Sequence, residues 1–366
     1  MLFFSGGTAL RATSRRLKHY THNTVHLITP FDSGGSSAQL RAAFDMPSVG
    51  DLRNRLMALA DETVQGSPEI YALFSHRLAS SEQRQTLHQQ LTTMVSGLHP
   101  LVAAVPQPLR RIIRTHLRDF MRGMPGDFDL RGASIGNLIL AGGYLANERD
   151  LESVLFTFSR LVEARGQVRL ICTDSLQLAA RLEDGEVIVG QHLLTGKERA
   201  PITSPVAELN IVQSTANPRP VLPELSERNR KLIERSELIC YPMGSFFSSV
   251  SANLLPCGVG SAVANARCPK VYIPNTGKDP EQLGYDAVRC LSLLLKLVRR
   301  DAGPNTPSGQ IVDTVLVDTQ NGRYEYPIDK PGLRRLGVQI IDHDLCTADG
   351  QKLDPQKLAD TLVALA

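Results

Sequence analysis

The chain opens on a short apolar run, Leu2-Phe3-Phe4, that stops at Ser5-Gly6-Gly7-Thr8 and gives way to helical periodicity over 8–19. Val25-His26-Leu27-Ile28 is a second such run, and it ends at Phe31-Asp32-Ser33-Gly34-Gly35-Ser36-Ser37. Short apolar runs bounded by glycine and serine read as buried strands, so the first 37 residues predict a β-α-β unit. A right-handed crossover would put both strand ends, and hence both glycine turns, on one edge of the sheet. Further on, Leu52, Leu56 and Leu59 recur at helical spacing behind Gly50-Asp51, where Asp51 suits a helix cap.

From about 62 to 131 the pattern is polar and helical, and Arg110, Arg111, Arg114 and Arg118 line one helix face. Such a face reads as solvated or as a partner contact rather than as catalytic. Gly132-Ala133-Ser134-Ile135-Gly136-Asn137-Leu138 reads as a tight turn into an apolar helix. Strands are expected over 168–172, 178–182, 186–190 and 209–213, with Glu183-Asp184-Gly185 as a hairpin turn, which gives an antiparallel segment. A helix over 224–235 leads back to the run Leu238-Ile239-Cys240-Tyr241 and to a third glycine-serine element, Pro242-Met243-Gly244-Ser245. Strands at 270–273, 312–317 and 338–341 then alternate with helices near 262–266, 280–300 and 355–365. The expectation is an α/β fold: one domain over 1–366 with a Rossmann-like, three-layer parallel-sheet core. It would carry a helical insertion at about 75–131 and a small antiparallel β subregion at about 168–213.

Charge narrows the classes of partner. The net charge is +3 and the 40 basic residues are scattered, so neither a nucleic-acid stripe nor a membrane-binding face is expected. The six cysteines are widely spaced with no CxxC pair, and they read as buried free thiols rather than a zinc site. No apolar run reaches the roughly 18 residues of a membrane span and no secretory leader is apparent, so a cytoplasmic location is expected.

An apolar strand that ends in glycines ahead of a helix is how an α/β sheet presents backbone N–H groups to a phosphate. Asp32 and Asp51 are the best chemical candidates, since each lies at a turn beside glycines. Two carboxylates beside a diphosphate suit Mg²⁺, which takes one or two carboxylates together with water and phosphate oxygens. On spacing alone the same two residues also suit turn or helix caps. Ser36, Ser37, Asn54, Asn137, Ser245 and Asn253 offer hydrogen bonds to a nucleotide, and Lys197, Lys278 and Lys330 lie in loops. No Ser/His/Asp or Cys/His nucleophile pattern stands out, and the nine histidines share no motif.

Taken in order, these motifs resemble the 2-phospho-L-lactate transferase (CofD-like) family, which includes the YvcK-like gluconeogenesis-factor branch of nucleotide-sugar-binding proteins. The stations are Gly6-Gly7-Thr8-Ala9-Leu10, Asp32-Ser33-Gly34-Gly35-Ser36-Ser37, Gly50-Asp51-Leu52-Arg53-Asn54 and Ser134-Ile135-Gly136-Asn137, followed by Gly244-Ser245, Asn253-Leu254-Leu255 and Pro274-Asn275. The resemblance implies a nucleotide diphosphate or nucleotide-sugar ligand, held by Gly6, Gly7, Thr8, Gly34, Gly35, Ser36, Ser37, Asn54, Gly136, Asn137, Gly244, Ser245, Asn253 and Asn275. It implies Asp32 and Asp51 as catalytic, Mg²⁺-binding aspartates, and a homodimer. In the transferase branch a hydroxyl of a deazaflavin acceptor attacks the lactyl-bearing phosphorus of the donor, and a nucleoside monophosphate leaves. The regulatory branch implies instead a non-catalytic sensor of UDP-sugars that regulates carbon or cell-envelope metabolism. The chain departs from the pattern at Ser33, where the regulatory branch usually carries a second aspartate, at Ala133, where a histidine is usual, and at Pro242-Met243, where the loop usually reads Gly-Pro.

Overall fold

In a computed structural model that describes residues 1–62, 66–196 and 200–366, the two opening apolar runs form β1 (Leu2–Ser5) and β2 (Val25–Ile28). They pair in parallel, Leu2 opposite Val25 and Ser5 opposite Ile28, with α1 (Arg11–Leu17) crossing between them. The second and third glycine turns start α2 (Gly35–Phe44) and α3 (Gly50–Leu59). A helical block follows: α4 (Pro68–Ser75), α5 (Arg84–Ser96), α6 (Pro100–Ala103), α7 (Leu109–Gly123), α8 (Ile135–Ala146) and α9 (Leu151–Leu161). The chain then re-enters the sheet as β3 (Gln167–Leu170), parallel to β2.

This last pairing corrects one expectation. The run near 168 belongs to the main sheet, and the antiparallel sheet is built only from β4 (Gln177–Leu182), β5 (Val187–Val189) and, after α10 (Gln191–Leu194), β6 (Val206–Val212), in the order β5-β4-β6. A strand of four residues carries the same apolar signature in either setting. The helix before it, a βαβ-type crossover, is what commits Gln167–Leu170 to the parallel sheet.

After α11 (Glu227–Glu234) come β7 (Ile239–Tyr241), a π-helix (Phe246–Ser251), α12 (Val259–Asn265), β8 (Lys270–Tyr272), α13 (Ala287–Ala302), β9 (Thr314–Val317), α14 (Lys330–Arg335), β10 (Gln339–Asp342) and α15 (Pro355–Leu365). The helix expected over 280–300 is divided: a short 3-10 turn, Pro280–Gln282, precedes α13, whose first turn is capped by the Asp286 carboxylate accepting from the Arg289 N–H. Among the described residues the main sheet runs β10-β9-β8-β7-β1-β2-β3, all parallel. From β1 the chain winds first toward β2 and β3 and later, through β7, the other way. The β1/β7 junction is therefore the switch point where such sheets open a crevice at their carboxyl ends.

Side chains alternate across the sheet as strand pleating requires. Leu2, Phe4, Ile239 and Tyr241 pack with α12 and α13 on one face, while Phe3, Cys240 and Val271 pack with Leu17 of α1 and Leu358 and Leu362 of α15 on the other. Ile28, Val168 and Leu170 anchor the helical block to the β2–β3 end. Within that block α7 lies close against α8: a Cβ on Gly142 would meet the His116 carbonyl carbon at 2.7 Å and the Phe120 amide nitrogen at 3.0 Å, so only glycine permits the approach. Of the arginines on α7, Arg110 and Arg114 donate to the carbonyls of Val105 and Val95 and so close the ends of neighbouring segments, while Arg111 and Arg118 are exposed. No helix among the described residues is long and apolar enough to cross a membrane.

Candidate functional site

The first glycine turn leaves the central strand β1 and lies directly over α3. A Cβ on Gly7 would stand 2.7 Å from the Asp51 carboxyl carbon and 3.0 Å from the Asp51 Cα, and one on Gly6 would stand 3.1 Å from the Ser249 Cβ. Two glycines here thus let the loop touch Asp51 on one side and the π-helix on the other. Among the described residues the N–H groups of Gly7, Thr8 and Ala9 meet no protein acceptor. Consecutive open amides of this kind form an anion-binding concavity.

Two buried arginines of α3 support the turn. Arg55 is fully buried and donates to the Gly6 carbonyl at 2.7 Å and to the Ser14 hydroxyl. Arg53 donates to the Ser134 and Asn54 side chains. Burial lowers both guanidinium pKa values to about 10, and the Asp51 charge acts against that shift. Among the described residues neither makes a salt bridge. Their charge therefore adds a positive potential beneath the loop, in a low-dielectric setting where it is weakly screened.

Asp32 follows β2. Its Oδ1 accepts the Gly34 N–H at 3.2 Å, and its Oδ2 lies against Gly50, 3.0 Å from where a Cβ would be. The cap role open to it from sequence is thus real for one oxygen, while the other faces the start of α3, next to Asp51. Arg41 fixes this loop from below, donating to the carbonyls of Phe31 and Asp32.

The third glycine-serine element departs from the expected arrangement. Asn275 clamps Gly244 from both sides: it accepts the Gly244 N–H and donates to the Gly244 carbonyl, each at 2.7 Å. Beyond it the first N–H groups of the π-helix are consumed by carboxylates. Phe246 donates to Asp279, and Phe247 and Ser248 both donate to Glu281. That helix start therefore offers a ligand no open amides at these three positions, because the carboxyl groups of Asp279 and the fully buried Glu281 already accept from them. Burial, reinforced by the Asp279 charge, pushes the Glu281 pKa up to about 7.

These loops enclose a cleft of about 330 Å³ at the β1/β7 junction. Of the expected site residues, Gly6, Gly7, Thr8, Asp32, Gly34, Asp51, Gly244 and Ser245 line it together. The others stand behind it. Asn137 donates to the Ser36 hydroxyl and keeps a buried Oδ1 without a partner. Ser37 packs against Gly50, Gly136 against the Phe74 carbonyl, and Gly35 opens α2. Asn54 receives Arg53, and Asn253 ties the π-helix carbonyl of Ser249 to that of Ser5. Lys330 pairs with Asp342, Lys278 is exposed away from the lining, and Lys197 lies outside the described residues. Sequence reading missed Gln191, His192, Thr195 and Ser249, all of which line the cleft. The first three arrive on α10 and the residue that ends it, far along the chain, with no local signal. A larger depression of about 790 Å³ lies between α9 and β3, but no expected site residue lines it and no glycine turn opens on it.

The cleft's donor set fits a hard divalent cation. Asp32 and Asp51 line the cleft together with the open amides. A pair of carboxylates that leaves the remaining positions to phosphate oxygens and water is a Mg²⁺-type arrangement.

The chain is thus a doubly wound α/β protein with a glycine-lined cleft at its switch point. The family model for 2-phospho-L-lactate transferase CofD matches residues 1–346, and the chain belongs to this family. It is similar to the gluconeogenesis factor of Bacillus subtilis (strain 168), 28% identical over 99% of this chain and 96% of that protein. The gluconeogenesis factor of Listeria monocytogenes is 25% identical over 100% and 95%. A crystal structure of a UPF0052-family protein from Bacillus halodurans shares the fold, with a TM-score of 0.70 at 23% identity over 99% of this chain and 97% of that one.

Proposed function

We propose that the cleft binds the diphosphate of a nucleotide-activated donor with Mg²⁺, and that the protein is a transferase of the 2-phospho-L-lactate type. The observation that carries this reading is the convergence of the open Gly7, Thr8 and Ala9 amides with Asp32 and Asp51 on one cleft. The amides donate to phosphate oxygens, and the buried Arg53 and Arg55 add positive potential behind them. Asp32 and Asp51 would hold the Mg²⁺, which supplies neutralisation of charge on the phosphates. In the transfer the acceptor's hydroxyl oxygen bonds to the phosphorus of the phospho-linked group. The P–O bond to the nucleoside phosphate breaks, the nucleoside monophosphate leaves, and the hydroxyl proton passes to solvent. Such chemistry is positioning and electrostatics, so a cleft without a nucleophilic triad is adequate to it.

A second reading, a non-catalytic sensor of nucleotide sugars, is favoured by the relatives' name, gluconeogenesis factor, which describes a role rather than a reaction. Two measurements separate them. Mass spectrometry of ligand that copurifies with the native protein identifies the nucleotide, and incubation of that nucleotide with Mg²⁺ and hydroxyl acceptors follows release of nucleoside monophosphate. Release supports the transferase. Tight binding with no release from any acceptor supports the sensor.

A further inference from the structure

Part of the cleft lining comes from α10, which the antiparallel sheet delivers there. His192 on this helix approaches Ser33, 159 positions earlier in the chain, with Nδ1 2.7 Å from the Ser33 hydroxyl. The His192 main-chain N–H donates to that same oxygen at 3.2 Å. The ring is thus held both through its own nitrogen and through its backbone. When the Ser33 hydroxyl donates to Nδ1, the ring proton sits on Nε2. Among the described residues Nε2 meets no protein partner, and it is not one of the buried atoms lacking one, so it is an accessible atom of a residue that lines the cleft. Gln191 beside it is 7% exposed, lines the same cleft and keeps a buried Oε1 without a partner.

We propose that His192 is a ligand-contacting residue whose Nε2–H donates to a phosphate oxygen of the bound diphosphate, and that Ser33 is the positioning residue that fixes its ring. This rests on the reading of the cleft as a diphosphate site. It gives the ligand two sets of donors from separate elements: the amides of the β1 loop and the imidazole that follows the antiparallel sheet. It also assigns a role to Ser33, which the metal-binding pair does not use.

The test is calorimetry of the full chain with adenosine, guanosine, cytidine and uridine 5′-diphosphates and with inorganic pyrophosphate, in Mg²⁺. His192→Phe keeps the ring volume and removes the donor, and weakens the affinity of whichever probe binds by about tenfold. Ser33→Ala weakens it by a smaller factor and adds no further loss in a His192→Phe background; a purely structural role for Ser33 would weaken binding in that background as well. His343→Phe, away from the cleft, leaves affinity unchanged. Wild-type binding matched within twofold by a folded His192→Phe overturns the inference alone. Failure of the wild type to bind any diphosphate or pyrophosphate overturns the diphosphate reading, and the inference with it.

Discussion

Gly7→Ala is the smallest change that reaches the centre of the proposed site. The added methyl carbon would lie 2.7 Å from the Asp51 carboxyl carbon, about 0.7 Å inside ordinary contact at 3.4 Å, and 3.0 Å from the Asp51 Cα. Rotation of the carboxylate relieves the first overlap but not the second, because the Cα is fixed in the first turn of α3. Either the β1 loop or Asp51 must therefore shift, which separates the open amides from the carboxylate they adjoin. Overpacking of this kind costs about 1–3 kcal/mol of stability. If the displaced groups are the ligand's contacts, Mg²⁺-dependent affinity for a nucleoside diphosphate falls by about 10- to 100-fold, or about 1.4–2.7 kcal/mol. Calorimetry with and without EDTA reads the affinity, and thermal melting reads the stability separately. Gly309→Ala is the control, since nothing lies within 4 Å of a Cβ there. A Gly7→Ala protein that binds diphosphate as tightly as wild type, with its Mg²⁺ dependence intact, refutes the placement of phosphate and metal at this junction.

Two further perturbations probe the scaffold behind the cleft. Asn275→Ala removes both hydrogen bonds that clamp Gly244 and leaves those backbone groups to find other partners, at about 1–3 kcal/mol each where they stay buried; the melting temperature falls and diphosphate affinity drops about tenfold, and an unchanged affinity would show that the Gly244-Ser245 loop does not touch the ligand. Glu281 is held up at about 7 against an ordinary 4.5, so the folded protein keeps a proton there that the unfolded chain has released. Its contribution to stability is therefore present in full below pH 4.5 and lost as pH rises to about 7. Glu281→Gln keeps an acceptor for the Phe247 and Ser248 amides but cannot ionise, so the difference in melting temperature between variant and wild type grows in the variant's favour from pH 5 to pH 7. A difference that stays constant over that range contradicts the assignment.

The central half of the fold was legible because its signals are local. Leu2-Phe3-Phe4 ahead of Gly6-Gly7 and Val25–Ile28 ahead of Asp32 are strands and turns in the sequence and in the structure, and a parallel sheet brings their ends together by topology alone. The run near 168 was misassigned to the antiparallel segment because four apolar-rich residues look alike in either sheet. What sequence cannot supply is the meeting of distant positions. Ser33 and His192 lie 159 residues apart, and Glu281 acts on the amides of Phe247 and Ser248 from 34 and 33 residues away. Neither pairing has a motif, since each depends on how a loop from one element closes over another. Arg53 was visible as a letter of the Gly50–Asn54 station, but its burial with Arg55 beneath the β1 loop was not, because a helix with arginines two apart reads as exposed until its packing is known.

The central claim is that Gly7 through Ala9, Asp32 and Asp51 form a Mg²⁺-dependent diphosphate site. Titration of the intact chain with nucleoside 5′-diphosphates, in Mg²⁺ and again in EDTA, tests it directly, with Asp51→Asn measured alongside. At least one diphosphate is expected to bind, to weaken at least tenfold on removal of Mg²⁺, and to lose this dependence in Asp51→Asn. Binding that is indifferent to both Mg²⁺ and Asp51, or no diphosphate binding at all, would contradict it.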